Sequence, residues 1–200
     1  MKIYIASQNP DKIKEIAAVL DTRISLLSVY ELGVIDELAE TGTTLTANAL
    51  QKARYIYQTF DVSCFADDSG LEVDSLNGEP GVHSARYAGE QKNPKENIQL
   101  LLQKLAQKEN RKARFKTVLA LILNKSEYVF EGEITGVITQ EPRGGNGFGY
   151  DPIFIPDGYT NTFAEMEPEE KNKISHRSKA VEKLAAFLQK NKNLINSKSL

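Results

Sequence analysis

Two adjacent carboxylates stand in the run Asp67-Asp68-Ser69-Gly70. Side chains this close resist joint ionisation unless a cation or hydrogen bonds compensate, and a divalent metal held by hard oxygen ligands is one such compensation. The same four residues are equally compatible with a solvated acidic turn bent at Gly70. Glu40, ahead of Thr41-Gly42, could add a carboxylate to a hard-cation site, although alone it is a loop glutamate. In Ser7-Gln8-Asn9-Pro10-Asp11-Lys12 a strand turns into a helix whose first amides, if unpaired, favour an anion such as phosphate; Lys12 lies one turn in, and Ser7 and Asn9 add donors. Its plainer reading is an ordinary capped helix. The glycine-dense loop Gly144 to Pro152 carries Phe148, Tyr150 and Asp151, so its backbone can approach a ligand and Phe148 can stack on a base, or its aromatics can simply cover a core. Lys171 and Ser175-His176-Arg177 place cationic donors just ahead of a final helix, as a base-binding cluster or as a charged cap.

These groups need strand ends and helix starts to bring them together. Lys2 to Ala6 is β-type, and Asn9-Pro10 opens a helix whose stripe is Ile13, Ile16, Ala17 and Leu20. A strand near Ile24 to Val29 precedes a turn-rich loop, and Leu45, Ala49, Ala53, Ile56 and Phe60 mark a second helix. Val62 to Ala66 reads as a strand ending at Asp67-Asp68, which it delivers at its tip. Asn77-Gly78 and Pro80-Gly81 are turn signals. Asn93 with Glu96 resembles a capping box before the stripe Ile98, Leu101, Leu102 and Leu105. Phe115 to Leu123 and Tyr128 to Thr139 form a hairpin, Ile153 to Ile155 a brief strand, and Val181, Leu184, Ala185 and Leu188 a last helix. Strands that alternate with helices early and pair as a hairpin late point to an α/β fold with a mixed sheet flanked by helices.

The 200 residues suit a single domain, residues 1–190, followed by a polar tail, 191–200. A formal net charge of -2 gives no broad positive field for nucleic acid, and the basic run Lys108 to Lys116 reads as a solvated helix-to-strand turn. No apolar run is long enough to span a membrane, and the lone cysteine, Cys64, forms no internal disulfide; cytoplasmic placement is expected. Cys64 reads as core, and His83 as structural or peripheral.

Five ordered runs carry a wider likeness: SQNPDK from Ser7, ETGTTLTANALQKA from Glu40, FADDSGLEVDSLNGEPGVHSARYAG from Phe65, GGNGFGYDPIF from Gly144 and EEKNKISHRSKA from Glu169. Together they resemble the Ham1, or inosine triphosphatase-like, family of non-canonical purine nucleoside triphosphate pyrophosphatases over nearly the whole chain. The resemblance implies an elongated mixed sheet with helices, two lobes around a nucleotide cleft, a homodimer, and Mg²⁺-dependent hydrolysis of dITP, ITP or XTP to monophosphate and pyrophosphate. It makes Asp68 the general base and a magnesium ligand and Glu40 the second metal carboxylate. It places Ser7, Gln8, Asn9, Pro10, Asp11, Lys12, Lys52 and Ser69 at the triphosphate, and Phe148, Gly149, Tyr150, Asp151, Lys171, His176 and Arg177 at the base and sugar. Selectivity would follow from His176 or Arg177 donating to a 6-oxo group, which adenine's amino group cannot accept. Four positions depart from the family pattern: Ser7 and Gln8 stand for a threonine and a glycine, and Leu45 and Ala47 for a phenylalanine and a glutamate; if that glutamate binds metal or water, the site has one carboxylate fewer. A Maf-like pyrophosphatase of pyrimidine or modified nucleotides, and a non-catalytic nucleotide sensor, are the competing readings.

Overall fold

The computed structural model describes residues 2–20 and 24–191. Its elements are β1 (Lys2–Ile5), α1 (Pro10–Val19), β2 (Ser25–Ser28), α2 (Leu45–Phe60), β3 (Cys64–Val73), α3 (Pro94–Lys104), β4 (Lys112–Leu123), β5 (Ser126–Ile138), β6 (Phe154–Pro156), α4 (Pro168–Ile174) and α5 (His176–Lys190), with short 3₁₀ turns between them. The strands form one sheet in the order β2-β1-β3-β4-β5-β6. β1 pairs in parallel with β2, Lys2 opposite Ser25, and with β3, Tyr4 opposite Cys64, while β5 and β6 run antiparallel. The sheet is therefore mixed, as the alternation of patterns predicts. Asn124 and Lys125, at φ of 49° and 68°, supply the paired left-handed residues of a type I′ hairpin between β4 and β5.

The strand order explains where the polar residues point. The chain steps from β1 outward to β2, then back across β1 to β3, and right-handed crossovers in opposite directions put α1 and α2 on opposite faces. Side chains alternate along β3. Phe65 packs with Ile3, Ile5, Ile16 of α1 and Val181 and Leu184 of α5, whereas Cys64 on the other face donates its S–H to the Ala53 carbonyl of α2 at 3.3 Å. Asp67 and Asp68, two and four residues on, inherit opposite faces.

By internal contacts the chain divides into two compact units, one of residues 1–68, 117–132 and 177–200, the other of residues 69–116 and 133–176. The first holds the core around Ile3, Ile5, Phe65, Leu119, Leu121 and Leu184. The second has its own, built on Leu71, Ile98, Leu101, Ile134, Phe154 and Phe163. The helical stripes face the core as their spacing predicts, with Ile13, Phe60, Leu102 and Ala185 partly buried, except that Ala17 is exposed and α1 leans on Ile16 and Leu20. The expected capping box at Asn93 takes another form: Glu96 accepts from the Asn93 side chain, not its backbone. The basic run enters β4, where Lys112 and Arg114 alternate with buried Ala113 and Phe115, and Arg111 is spent on the carbonyls of Leu105, Ile138 and Thr139. Apart from Asn191, the polar tail 191–200 lies outside the described residues.

Candidate active site

β3 is where the structure departs most from the sequence reading. Asp67-Asp68-Ser69-Gly70 is not a turn at a strand tip; the strand runs straight through it to Val73, and both aspartates are buried. Gly70 is required by close approach rather than by bending, because a Cβ there would lie 2.4 Å from the Gly81 carbonyl oxygen. The reversal of crossover direction between β1 and β3 makes their carboxyl ends the switch point where open α/β sheets bind ligands. Ser7 and Lys12 follow β1 at that end, and Lys12 lies beside Asp67.

Asp67 faces α1, with the Lys12 ammonium 2.8 Å from Oδ2, while Oδ1 is buried and makes no hydrogen bond among the described residues. Burial opposes its ionisation, yet Lys12, with Lys52 and Arg177 behind it, holds the carboxyl well below the usual carboxylate range. Asp68 faces α2 and accepts from the Asn48 amide at 3.0 Å. Here burial wins: the Asp68 carboxyl is pushed up to about 6 against the pull of Lys52 and Lys12, with Glu40 adding to the rise. Two neighbours on one strand are thus driven apart, one fixed as an anion and one poised to take a proton near neutrality.

Lys52 joins the carboxylates. Its ammonium donates to Glu40 Oε1 at 2.5 Å and to the Asp67 main-chain oxygen at 2.6 Å. Burial disfavours its charge, but Asp67, Glu40 and Asp68 outweigh burial and raise its pKa. Among the described residues no three His, Cys, Asp or Glu side chains gather into a ready metal cage. Glu40 and Asp68 are nonetheless hard oxygen donors beside the Lys52 ammonium, and that donor chemistry fits Mg²⁺ better than a soft metal.

The start of α1 is more occupied than expected. Asn9 Oδ1 accepts from the amides of Asp11 and Lys12, the Asn9 carbonyl accepts from Ile13, and Pro10 has no N–H. A phosphate at this turn would meet the Lys12 ammonium rather than unpaired helix amides. Gln8 is not at positive φ, so the family's glycine is not needed for backbone geometry, and its side-chain amide donates to the carbonyls of Ile35 and Asp36 at 3.0 and 2.9 Å. It ties the β1–α1 turn to the loop that carries Glu40.

The second unit gathers the other group. Asp151 Oδ2 accepts from Lys171 Nζ at 2.5 Å and from the Phe148 amide at 2.8 Å, all but buried, with the Lys171 ammonium 5.0 Å from the Phe148 ring centroid. The glycine loop approaches its own chain: Gly147, at φ +71°, leaves room for Asp151 Oδ2, which a Cβ would meet at 2.1 Å. Tyr150 faces inward, its hydroxyl donating to the Ser84 carbonyl at 2.9 Å and its pKa raised by burial. His176 stacks on Phe115 at 4.7 Å, and His176 and Arg177 open α5 as buried residues rather than preceding it as a solvated cap. Arg177, in the first unit, pairs with Glu15 of α1. Ser69 follows Asp68 on β3, half-buried, and His83 is exposed.

Two residues of this network escape the sequence reading. Asn48 takes the Gly42 amide on Oδ1 at 2.7 Å and gives Nδ2 to Asp68, so its orientation is fixed from both ends. Its signal was present: Asn48 and Lys52 lie one turn apart on a helix otherwise buried through Leu45, Ala49, Ala53 and Ile56. Glu15, the partner of Arg177 162 residues away, left no comparable trace.

The model of the Ham1 family matches residues 3–187. A protein of Flavobacterium johnsoniae named dITP/XTP pyrophosphatase is 50% identical over 188 residues, 94% of this chain and 98% of its own. One of Bacillus subtilis with the same name is 46% identical over 189 residues, 92% and 96% of the two chains. Among solved structures, a HAM1 protein from Coxiella burnetii superposes with a TM-score of 0.88 at 42% identity, covering 95% of this chain and 99% of that one. The Staphylococcus aureus Ham1 protein gives 0.87 at 40%, with the same coverage.

Proposed function

The chain belongs to the Ham1 family, and from that footing we propose that it hydrolyses non-canonical purine nucleoside triphosphates, dITP, ITP and XTP, to the monophosphate and pyrophosphate. The observation that carries the proposal is the placement of two adjacent buried carboxylates on β3 in different company, Asp67 against the Lys12 ammonium and Asp68 against the Asn48 amide, which splits their ionisation. A carboxyl near 6 is ionised at neutral pH yet basic enough to receive a proton, which is what activating a water requires.

Asp68 takes the proton from the attacking water, and Asn48 holds the carboxyl in place through its Oδ2. Asp67 stays ionised, anchoring Lys12 beside the β1–α1 turn. Lys12 and Lys52 are the ammonium groups available to the triphosphate, whose charge grows on the leaving pyrophosphate. Asp68 and Glu40 would hold a Mg²⁺, which would supply charge neutralisation on the phosphate oxygens; one or two carboxylates are what magnesium asks of a protein when phosphates complete its shell. Lys171 and the Phe148 ring offer a cationic donor and a stacking face for a 6-oxo purine, with Asp151 fixing the lysine. His176 and Arg177 belong to the same base-reading proposal.

A cytoplasmic homodimer is part of this reading and rests on family membership; among the described residues no helix is long and apolar enough to cross a membrane. The test is pyrophosphate release from dITP, ITP and XTP against ATP and GTP in Mg²⁺. Preference for the first three supports the proposal. Equal rates on all five remove the specificity, and binding of ITP without release marks a sensor.

A further inference from the structure

Glu40 is asked to serve two cations. Its Oε1 is 2.5 Å from the Lys52 ammonium, which is buried to 6% exposure and also fixed by the Asp67 carbonyl at 2.6 Å. Under the function proposed above, on which this inference rests, the same carboxylate holds a divalent metal. A monovalent and a divalent cation about 4 Å apart repel by several kcal/mol even at an effective dielectric near 20. Asp67 cannot absorb the conflict, because its carboxylate is already matched to Lys12. The lysine has the means to move: a four-carbon stem on α2 and three donors that suit phosphate oxygens as well as a carboxylate.

We propose that Lys52 is an exchangeable counter-cation of Glu40: the incoming metal displaces its ammonium from the carboxylate, and the released ammonium passes to the triphosphate. Metal and nucleotide then strengthen each other's binding beyond their direct contact, since the metal releases the ammonium that the triphosphate takes up and the triphosphate draws it off the carboxylate that the metal needs. Lys52 is here a positioning residue for the metal as well as a ligand for the substrate.

The experiment is Mn²⁺ binding to the nucleotide-free full chain, read by the paramagnetic resonance of free Mn²⁺. Lys52→Gln is expected to bind Mn²⁺ at least about tenfold more tightly than wild type, roughly 1.4 kcal/mol. Lys12→Gln, which removes an equal charge that pairs with Asp67 instead, is expected to change affinity less than about threefold. Unchanged affinity in Lys52→Gln, or an equal gain in both variants, overturns the exchange. If Lys52→Gln does not fold, the wild-type protein labelled with ¹⁵N-lysine reports instead: the protected Lys52 ammonium signal should shift or disappear as Mg²⁺ is added without nucleotide. A signal that stays unmoved at a metal concentration that saturates the site overturns the proposal. Asp68→Asn separates the two layers: loss of Mn²⁺ binding there supports the metal site itself, and wild-type binding there refutes that site whatever Lys52 does.

Discussion

Replacing the two aspartates of β3 one at a time by asparagine should move stability in opposite directions. Asp68 is buried, and its carboxyl lies near 6 instead of 3.8. A group whose folded pKa is raised contributes fully below its unfolded value and loses that contribution as pH rises through the folded one, so above pH 6 the ionised Asp68 costs the protein about two pKa units, or about 3 kcal/mol. Asparagine keeps an acceptor for the Asn48 amide and carries no charge. Asp68→Asn should therefore stabilise the metal-free protein at pH 8 by up to about 3 kcal/mol, and by under about 1 kcal/mol at pH 4. Asp67 has the reverse sign. Its folded pKa is depressed, so its contribution is present above the unfolded value and lost on acidification, and neutralising it strands Lys12 beside a buried amide at a cost of about 3–5 kcal/mol. Thermal unfolding in a chelator reads both, each kcal/mol being worth about 2–4 °C in a chain of this size. A lowered midpoint for Asp68→Asn at pH 8, or a gain for it that persists undiminished at pH 4, would refute the assignment of burial as the dominant force on Asp68.

Gly42→Ala should cut turnover at least tenfold with little change in nucleotide affinity, because the new Cβ would meet Ala47 Cβ at 2.7 Å and Asn48 Oδ1 at 2.8 Å and so disturb the amide that orients Asp68; steady-state kinetics with binding by calorimetry checks it. Lys171→Met breaks a nearly fully buried ion pair and should cost about 3–5 kcal/mol in urea unfolding, part of it recovered on adding Asp151→Asn. Cys64, with its thiol pushed up to about 12 by burial, should be inert to a disulfide reagent at pH 8 in the native protein and titrate as one thiol once unfolded.

Much of this fold was legible because local rules and tertiary demands agree. Asn9 and Pro10 cap α1, Leu45 to Ile56 bury one stripe of α2, and the reversal at Asn124 sits between two strands rich in apolar residues. The misreadings fall where polar residues are buried by partners remote in sequence. Asp67 and Asp68 look like a turn since nothing nearby neutralises them; Lys12 and Asn48, 55 and 20 residues away, do so in the fold. The first amides of α1 look open to phosphate, and Asn9 satisfies them locally. Gly70 reads as a bend and Gly147 as close approach to a ligand, and they serve instead to admit Gly81 and Asp151. In each case the residue type was visible and its partner was not.

Pyrophosphate release from ITP in Mg²⁺ by Asp68→Asn, measured beside ITP binding to the same variant, tests the role of Asp68 most directly. A fall in turnover of about 10²–10⁴-fold, with ITP binding still measurable, is the result predicted for the loss of a general base. Turnover within tenfold of wild type would contradict it, and would move the proton to a group other than Asp68.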